Sequence, residues 1–255
     1  MKCRFYLILN IFLFFVCTKV FATDTIKVVT EELPPYNYIE NKEIKGISTA
    51  IVREVLKRSD IDATFKIYPW PRAYKMALNL PNILIYSIAK SEQREKLFQW
   101  VRPIINYSVY LYALKNSNVE VSNLEEAKKY RIGVINEDIS SQYLLKNGFE
   151  KDKQLIVFFD REKMVQDLFN NKLDFVCLGE LVASSIIRNS GPSCNPEYVR
   201  KVFRLDLGRK LYMAFSRWTD KSLVSRCQNV FDQMVKDGTY DRLKTSSIAK
   251  IDKID

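Results

Sequence analysis

The feature that most constrains this chain is an alternation of short apolar runs with segments whose apolar residues recur at helical spacing. Runs at Ile26–Thr30, Thr64–Tyr68, Ile83–Ile88, Arg131–Ile135, Leu155–Phe159 and Leu173–Leu178 predict strands. Between them, Ile47, Ile51, Val52, Val55 and Leu56 form one helical stripe, and Met164, Val165, Leu168 and Phe169 form another with Asp160 as its N-cap. Ser122 to Glu125 reads as a capping box, and Gly148 closes a helix over Ser140–Asn147. Leu223, Cys227, Val230 and Met234 place a last long helix that runs to Lys236, with Gly238 as the break. Strand–helix–strand order of this kind predicts α/β architecture, with parallel-rich sheets flanked by helices.

Two longer extended segments interrupt the alternation, Asn106–Lys115 and Lys210–Arg217. They flank a central block, which suggests that the chain crosses into a second lobe and later returns. The expected division is a discontinuous first lobe, 23–112 plus 215–255, and a second lobe, 117–211, with crossings near 113–116 and 212–214. No internal repeat, low-complexity tract or phosphate-binding glycine loop is present.

The N-terminus reads as an export signal. Lys2 and Arg4 precede an apolar run from Tyr6 to Val16, and Val20-Phe21-Ala22 offers a cleavage site after Ala22. The first 22 residues hold three of the 40 basic residues (Lys2, Arg4, Lys19) and none of the 30 acidic ones, so the remainder carries +7. The basic residues are dispersed, which fits a solvated surface and gives no reason to expect nucleic acid as a partner. The chain contains no histidine, which removes Ser-His-Asp and Cys-His catalysis and the commonest zinc ligand; no metal or cofactor is expected. Beyond residue 22 the cysteines are Cys177, Cys194 and Cys227. An odd count in an oxidising compartment leaves open one pair, such as Cys177–Cys194, with a free thiol, or three buried thiols; Cys227 falls on an apolar helix face.

Several segments, in order, resemble a known family. Leu33-Pro-Pro-Tyr-Asn-Tyr38 follows the first strand and Gly46 precedes the first helix. Ser87-Ile-Ala-Lys-Ser-Glu-Gln-Arg94 is followed by Phe98 and Pro103, Arg131-Ile-Gly-Val134 opens the second lobe, and Asp237-Gly-Thr-Tyr-Asp241 ends the long helix. Together they are similar to the bacterial periplasmic solute-binding proteins of family 3, which serve polar amino-acid uptake by ABC transporters. The resemblance implies the two-lobe periplasmic-binding-protein fold of type II, with two crossing hinge strands and a ligand held at the strand ends between the lobes.

It also implies site residues. Arg94 matches the carboxylate-binding arginine, whose guanidinium offers two parallel donors. The alternative for Arg94 is a surface pairing with Glu92 or Glu95. Ser87 and the backbone N–H of Ala89 match neighbours that share the carboxylate, Trp70 matches a residue that stacks on the ligand, and Tyr36 is a further wall. A tryptophan between two prolines favours a loop at the pocket mouth. From its own position, Arg72 is either a second positive group at the site or plain surface. The acid that receives the ligand's α-amino group is replaced by Gly179, with Glu180 beside it, and the small turn at a lobe-two helix is replaced by Asn136-Glu-Asp-Ile-Ser140. Glu137, Asp138 or Glu180 would then receive an amine; the alternative for the two acids at this helix N-terminus is plain capping. Glu32, or its neighbour Glu31, would restore a charge lost where Thr30 replaces an acid.

The expected function is periplasmic binding of a small polar solute, an amino acid or related carboxylate or amine, by lobe closure for delivery to an ABC permease. No catalysis is expected, and the molecule is expected to be a monomer. The alternatives are a ligand sensor acting with a membrane receptor and, further off, an enzyme on the same fold.

Overall fold

Two five-stranded sheets carry the architecture of the computed structural model, which describes residues 25–207 and 210–251. The expected signal peptide lies outside the described residues. The first sheet has the order β4 (Ala63–Ile67), β1 (Ile26–Thr30), β5 (Ile83–Ala89), β12 (Lys210–Ser216), β6 (Phe98–Asn106). β1 pairs in parallel with both β4 and β5, whereas β12 runs antiparallel to β5 and β6. The second sheet has the order β11 (Val199–Leu205), β7 (Val109–Leu114), β10 (Phe175–Gly179), β8 (Ile132–Ile135), β9 (Leu155–Phe158). Here β8 is parallel to β9 and β10, and β7 is antiparallel to β10 and β11. A hairpin of β2 (Tyr38–Glu40) and β3 (Glu43–Lys45) stands apart from both.

Burial follows strand position. Every residue of central β5 is buried, as a strand covered on both faces must be, while β4 at the sheet edge alternates inward and outward. Helices α1 (Ile47–Arg58), α8 (Lys221–Lys236) and α9 (Thr239–Ile251) pack together on the first lobe. The stripe expected for α1 is entirely buried. Gly46 precedes α1 at φ 113°, where an added Cβ would stand 2.3 Å from the carbonyl oxygen of Tyr36, so only glycine fits. In the second lobe, α6 (Arg161–Phe169) packs against β8 and β10, with Asp160 Oδ1 accepting the Lys163 N–H at 2.8 Å as its N-cap. Helix α7 (Ala183–Asn189) lies against α6.

Three expectations need correcting, and one open alternative, the cysteine pairing, closes. The chain leaves the first sheet after Asn106 and enters the second at Val109, and it returns between Leu205 and Lys210. The expected crossings, 113–116 and 212–214, therefore overlap the end of β7 and the middle of β12. The tyrosine-rich run that suggested the border is β7 itself, hydrogen-bonded on both edges within the second sheet. The capping box is shifted by one residue: Asn123 Oδ1 caps helix α4 (Leu124–Ala127) through the Glu126 N–H, and the Glu126 carboxylate accepts the Ser122 N–H. Trp70 is not in a loop. It opens helix α2 (Trp70–Asn79), with Pro69 at the N-cap and Pro71 in the first turn, where a missing N–H costs nothing. Cys177, Cys194 and Cys227 are all buried and unpaired, so no Cys177–Cys194 bridge is present.

Candidate functional site

Arg94 sits where the first lobe faces the second. Just past the end of β5, Ser91 caps a short helix α3 (Glu92–Glu95) by accepting the Arg94 N–H, and this turn folds the Arg94 side chain back under the strand end. The residue is 1% exposed. Its Nη1 donates to the carbonyl oxygen of Ala89 at 3.1 Å, its Nη2 to the carbonyl oxygen of Glu137 at 2.7 Å and its Nε to Gln142 Oε1 at 2.9 Å. All three acceptors are neutral, and two belong to the second lobe. The guanidinium carbon lies 5.2 Å from the Trp70 ring centre and 4.9 Å from that of Tyr74, within cation–π range. Burial pulls the Arg94 pKa down from its ordinary value. The surface alternative does not hold: Glu95 pairs with Lys90, and Glu92 pairs across the lobes with Lys146 of helix α5 (Ile139–Lys146).

The Glu137 carbonyl is the meeting point of the lobes. It accepts from Arg94 Nη2 and also from Trp70 Nε1 at 2.9 Å. Glu137 adopts φ 58°, a left-handed conformation that turns its carbonyl toward the first lobe. Its carboxylate is exposed and accepts only from Gln142 Nε2, at 3.2 Å, among the contacts described. Trp70 is buried and stacks on Tyr74, ring centres 5.4 Å apart and 22° from parallel.

A second guanidinium, not anticipated from sequence, lies beside the first. Arg161, the opening residue of α6, reaches across to Glu31 on the loop after β1, with Nη2 2.7 Å and Nε 3.2 Å from Glu31 Oε2. Its Nη1 is 3.8 Å from Asp138 Oδ2. Asp138 is buried at the N-cap of α5, where it accepts the Ser141 N–H at 2.8 Å. Burial pushes the Glu31 and Asp138 carboxyls up from their ordinary range, with the Arg161 charge opposing it. Burial also disfavours the Arg161 charge, but the two acids outweigh it and hold its pKa above the ordinary value.

The remaining expected residues divide. Ser87 is buried at φ 57°, at the bulge where β5 and β12 shift register, and its hydroxyl donates to Asn37 Oδ1. Asn37 in turn donates to Thr30 Oγ1 at 3.0 Å, so Ser87 is held in a buried polar network. Ala89 takes part through its carbonyl oxygen, which receives Arg94. Tyr36 is buried one layer back, edge-on to Tyr107 with ring centres 6.0 Å apart, and its hydroxyl donates to the Asn106 carbonyl at 3.3 Å. Glu32 is exposed and does not enter the site; its neighbour Glu31 does. Arg72 is turned outward onto the Tyr68 ring, 4.4 Å from its centre. Glu180 pairs with Lys201 on β11.

Gly179 is covered. An added Cβ there would stand 2.4 Å from Cε2 of Tyr107, so the crossing residue occupies the place of any side chain at this strand end. A cavity of about 20 Å³ remains between the lobes, lined among others by Glu31, Trp70, Ser87, Arg94, Tyr107, Asp138 and Arg161. That is room for a single water. A wider groove of about 330 Å³ opens beside it, shared by Glu31, Glu32, Tyr68 and Trp70 of one lobe and Phe159, Arg161 and Ile186 of the other.

The model of the bacterial extracellular solute-binding proteins, family 3, matches residues 26–249. A search of curated proteins gives no significant match. Among solved structures, a histidine kinase sensor domain with similarity to periplasmic binding proteins superposes with a TM-score of 0.75 at 18% identity, covering 87% of this chain and 95% of that one. An ancestral arginine-binding protein bound to arginine gives 0.72 at 20% identity, covering 88% and 97%. The arginine-, lysine-, histidine-binding protein ArtJ from the thermophilic bacterium Geobacillus stearothermophilus gives 0.71 at 16%, covering 88% and 95%. At such identities the likeness concerns the two-lobe fold. With the family match spanning both lobes, the chain belongs to the bacterial extracellular solute-binding proteins of family 3.

Proposed function

We propose that the protein binds a small polar solute bearing a carboxylate in the seam between its lobes, by lobe closure, and delivers it in the periplasm to an ABC permease. One observation carries this reading: Arg94 is a buried guanidinium at the seam whose three acceptors are neutral. When the lobes part, the Glu137 carbonyl and Gln142 leave with the second lobe, and two donors of Arg94 face the opened cleft. A carboxylate meets that fork with two charge-assisted hydrogen bonds, each contributing about 1.5–3 kcal/mol. Trp70 stands ready to cover it, since its ring already faces the guanidinium and its Nε1 is a further donor to the same place. Hinge motion would run through 107–108 and 206–209. The residues assigned to the ligand are Arg94, Trp70 and Ser87 of the first lobe and the Glu137–Asp138 turn of the second.

A sensing role is the second reading. It is favoured by the fold shared with a histidine kinase sensor domain, and by lobe-to-lobe bonds that hold the seam shut through the protein's own groups. Both readings need the same site. A thermal-shift screen of residues 23–255 against small carboxylates, amino acids and polyamines, with wild type and Arg94→Ala side by side, tests it. A ligand at about 100 times its Kd stabilises the folded state by about 2.7 kcal/mol. A carboxylate that shifts the wild type and not the variant supports the site; equal shifts in both remove Arg94 from it.

A further inference from the structure

We infer that the seam selects carboxylates that lack an α-ammonium group, and that Arg161 and Tyr107 impose this choice. The inference rests on the reading above that Arg94 takes a carboxylate, and it narrows the ligand class of that same site.

The charged groups lining the cavity are Glu31, Arg94, Asp138 and Arg161. Both acids face Arg161, Glu31 at 2.7 Å and Asp138 at 3.8 Å. At hydrogen-bond range Arg94 meets only neutral acceptors among the described contacts, with the Asp138 and Glu31 charges acting on it through space, whereas Arg161 holds both acids at close range. An entering ammonium would have to take Glu31 or Asp138 away from Arg161, leaving a buried guanidinium short of its partner, which is strongly unfavourable. A plain carboxylate asks for neither acid, so the Glu31–Arg161 pair can re-form when the lobes close over it.

The strand end leads to the same result independently. At Gly179 the Tyr107 ring fills the space where a side chain would project. The next residue, Glu180, is turned to Lys201 on β11 and does not line the cavity. An ammonium at this end of β10 would meet a phenol ring in place of a carboxylate. Asp138, the remaining acid of the second lobe at the cavity, is fixed as the cap of α5 and is within ion-pair range of Arg161.

The test is calorimetric titration of residues 23–255 with matched pairs that differ in the ammonium group: propionate and alanine, glutarate and glutamate, 3-phenylpropionate and phenylalanine. The expected result is that in at least one pair the acid without the ammonium binds at least about tenfold more tightly, as a site that leaves a polar group unpaired rejects it. Arg94→Ala should abolish that binding. Arg161→Gln, checked for folding by circular dichroism, should narrow the ratio, because Glu31 and Asp138 become free to receive an amine. Should the amino acid bind more tightly than its partner in the wild type, with Arg94→Ala still abolishing binding, the ligand class is overturned and the Arg94 site survives. Binding by no member of any pair overturns both. An unchanged ratio in folded Arg161→Gln overturns the part assigned to Arg161.

Discussion

Arg161 Nη2 stands 2.7 Å from Glu31 Oε2, an ion pair whose members are 130 residues apart and belong to different lobes. Both side chains are largely buried, at 13% and 10% exposure. Breaking such a pair from one side costs about 3–5 kcal/mol when the remaining charge stays buried. Here the lobes can part and return water to it. Glu31→Gln should therefore open the unliganded molecule more than it unfolds it. Small-angle scattering should show a larger radius of gyration than wild type, with a smaller stability loss in urea. An unchanged radius with a loss in the full range would show that the pair supports the fold and does not hold the seam.

Glu137 contributes its carbonyl to the seam, while its carboxylate is exposed. Its left-handed backbone costs about 1 kcal/mol that glycine would not incur. Glu137→Gly is expected to hold or raise the melting temperature and to leave carboxylate affinity within about threefold of wild type. Loss of affinity beyond tenfold would mean that the carboxylate itself takes part.

The three thiols are unpaired and buried, and burial pushes Cys227 up to about 11 and Cys177 and Cys194 above their ordinary value. A protein that begins at residue 23 should show almost no fast reaction with Ellman's reagent at neutral pH, and should release all three thiols in guanidinium without reductant. Recovery of a single thiol would establish a disulfide.

Arg58 at the end of α1 binds Asp237 in the turn between α8 and α9, and it also donates to Thr239 Oγ1 at 2.9 Å. The Arg58 hydrogen bond to the Asp237 carboxylate, helped by the Thr239 N–H, holds that carboxyl down to about 2 from its ordinary 3.8. A depressed carboxyl stabilises the fold above its unfolded pKa, and the contribution disappears as pH falls through the folded value. The melting temperature of wild type should exceed that of Asp237→Asn near neutrality, and the gap should close as pH falls from about 4 to about 2. A gap that persists unchanged at pH 2 would assign the difference to packing.

What the sequence made legible was mostly local. The strand β5 could be read because a strand buried on both faces is a continuous apolar run, and α6 because Asp160 announces its cap. The two prolines around Trp70 hid α2, since the same residues mark a loop or a helix start. Arg94 was legible only through family likeness; its spacing alone also fits a surface turn. Arg161 was not legible, because nothing in a capped helix start says that its first side chain spans the seam. Glu32 was preferred to Glu31 because an irregular loop has no period to say which of two adjacent acids turns inward. Tyr107 was concealed within an extended run, and its contact with Gly179 depends on where the chain crosses between sheets.

If the guanidinium fork of Arg94 anchors a ligand carboxylate between the lobes, the two parallel donors matter beyond the charge. The most direct test is calorimetric titration of wild type and Arg94→Lys with whichever small carboxylate most stabilises the wild type, each variant first confirmed as folded. Lysine keeps the charge and loses the two parallel donors. The affinity of Arg94→Lys should fall by about tenfold to a hundredfold, corresponding to one charge-assisted hydrogen bond. Equal affinity in the two proteins would contradict that anchoring role.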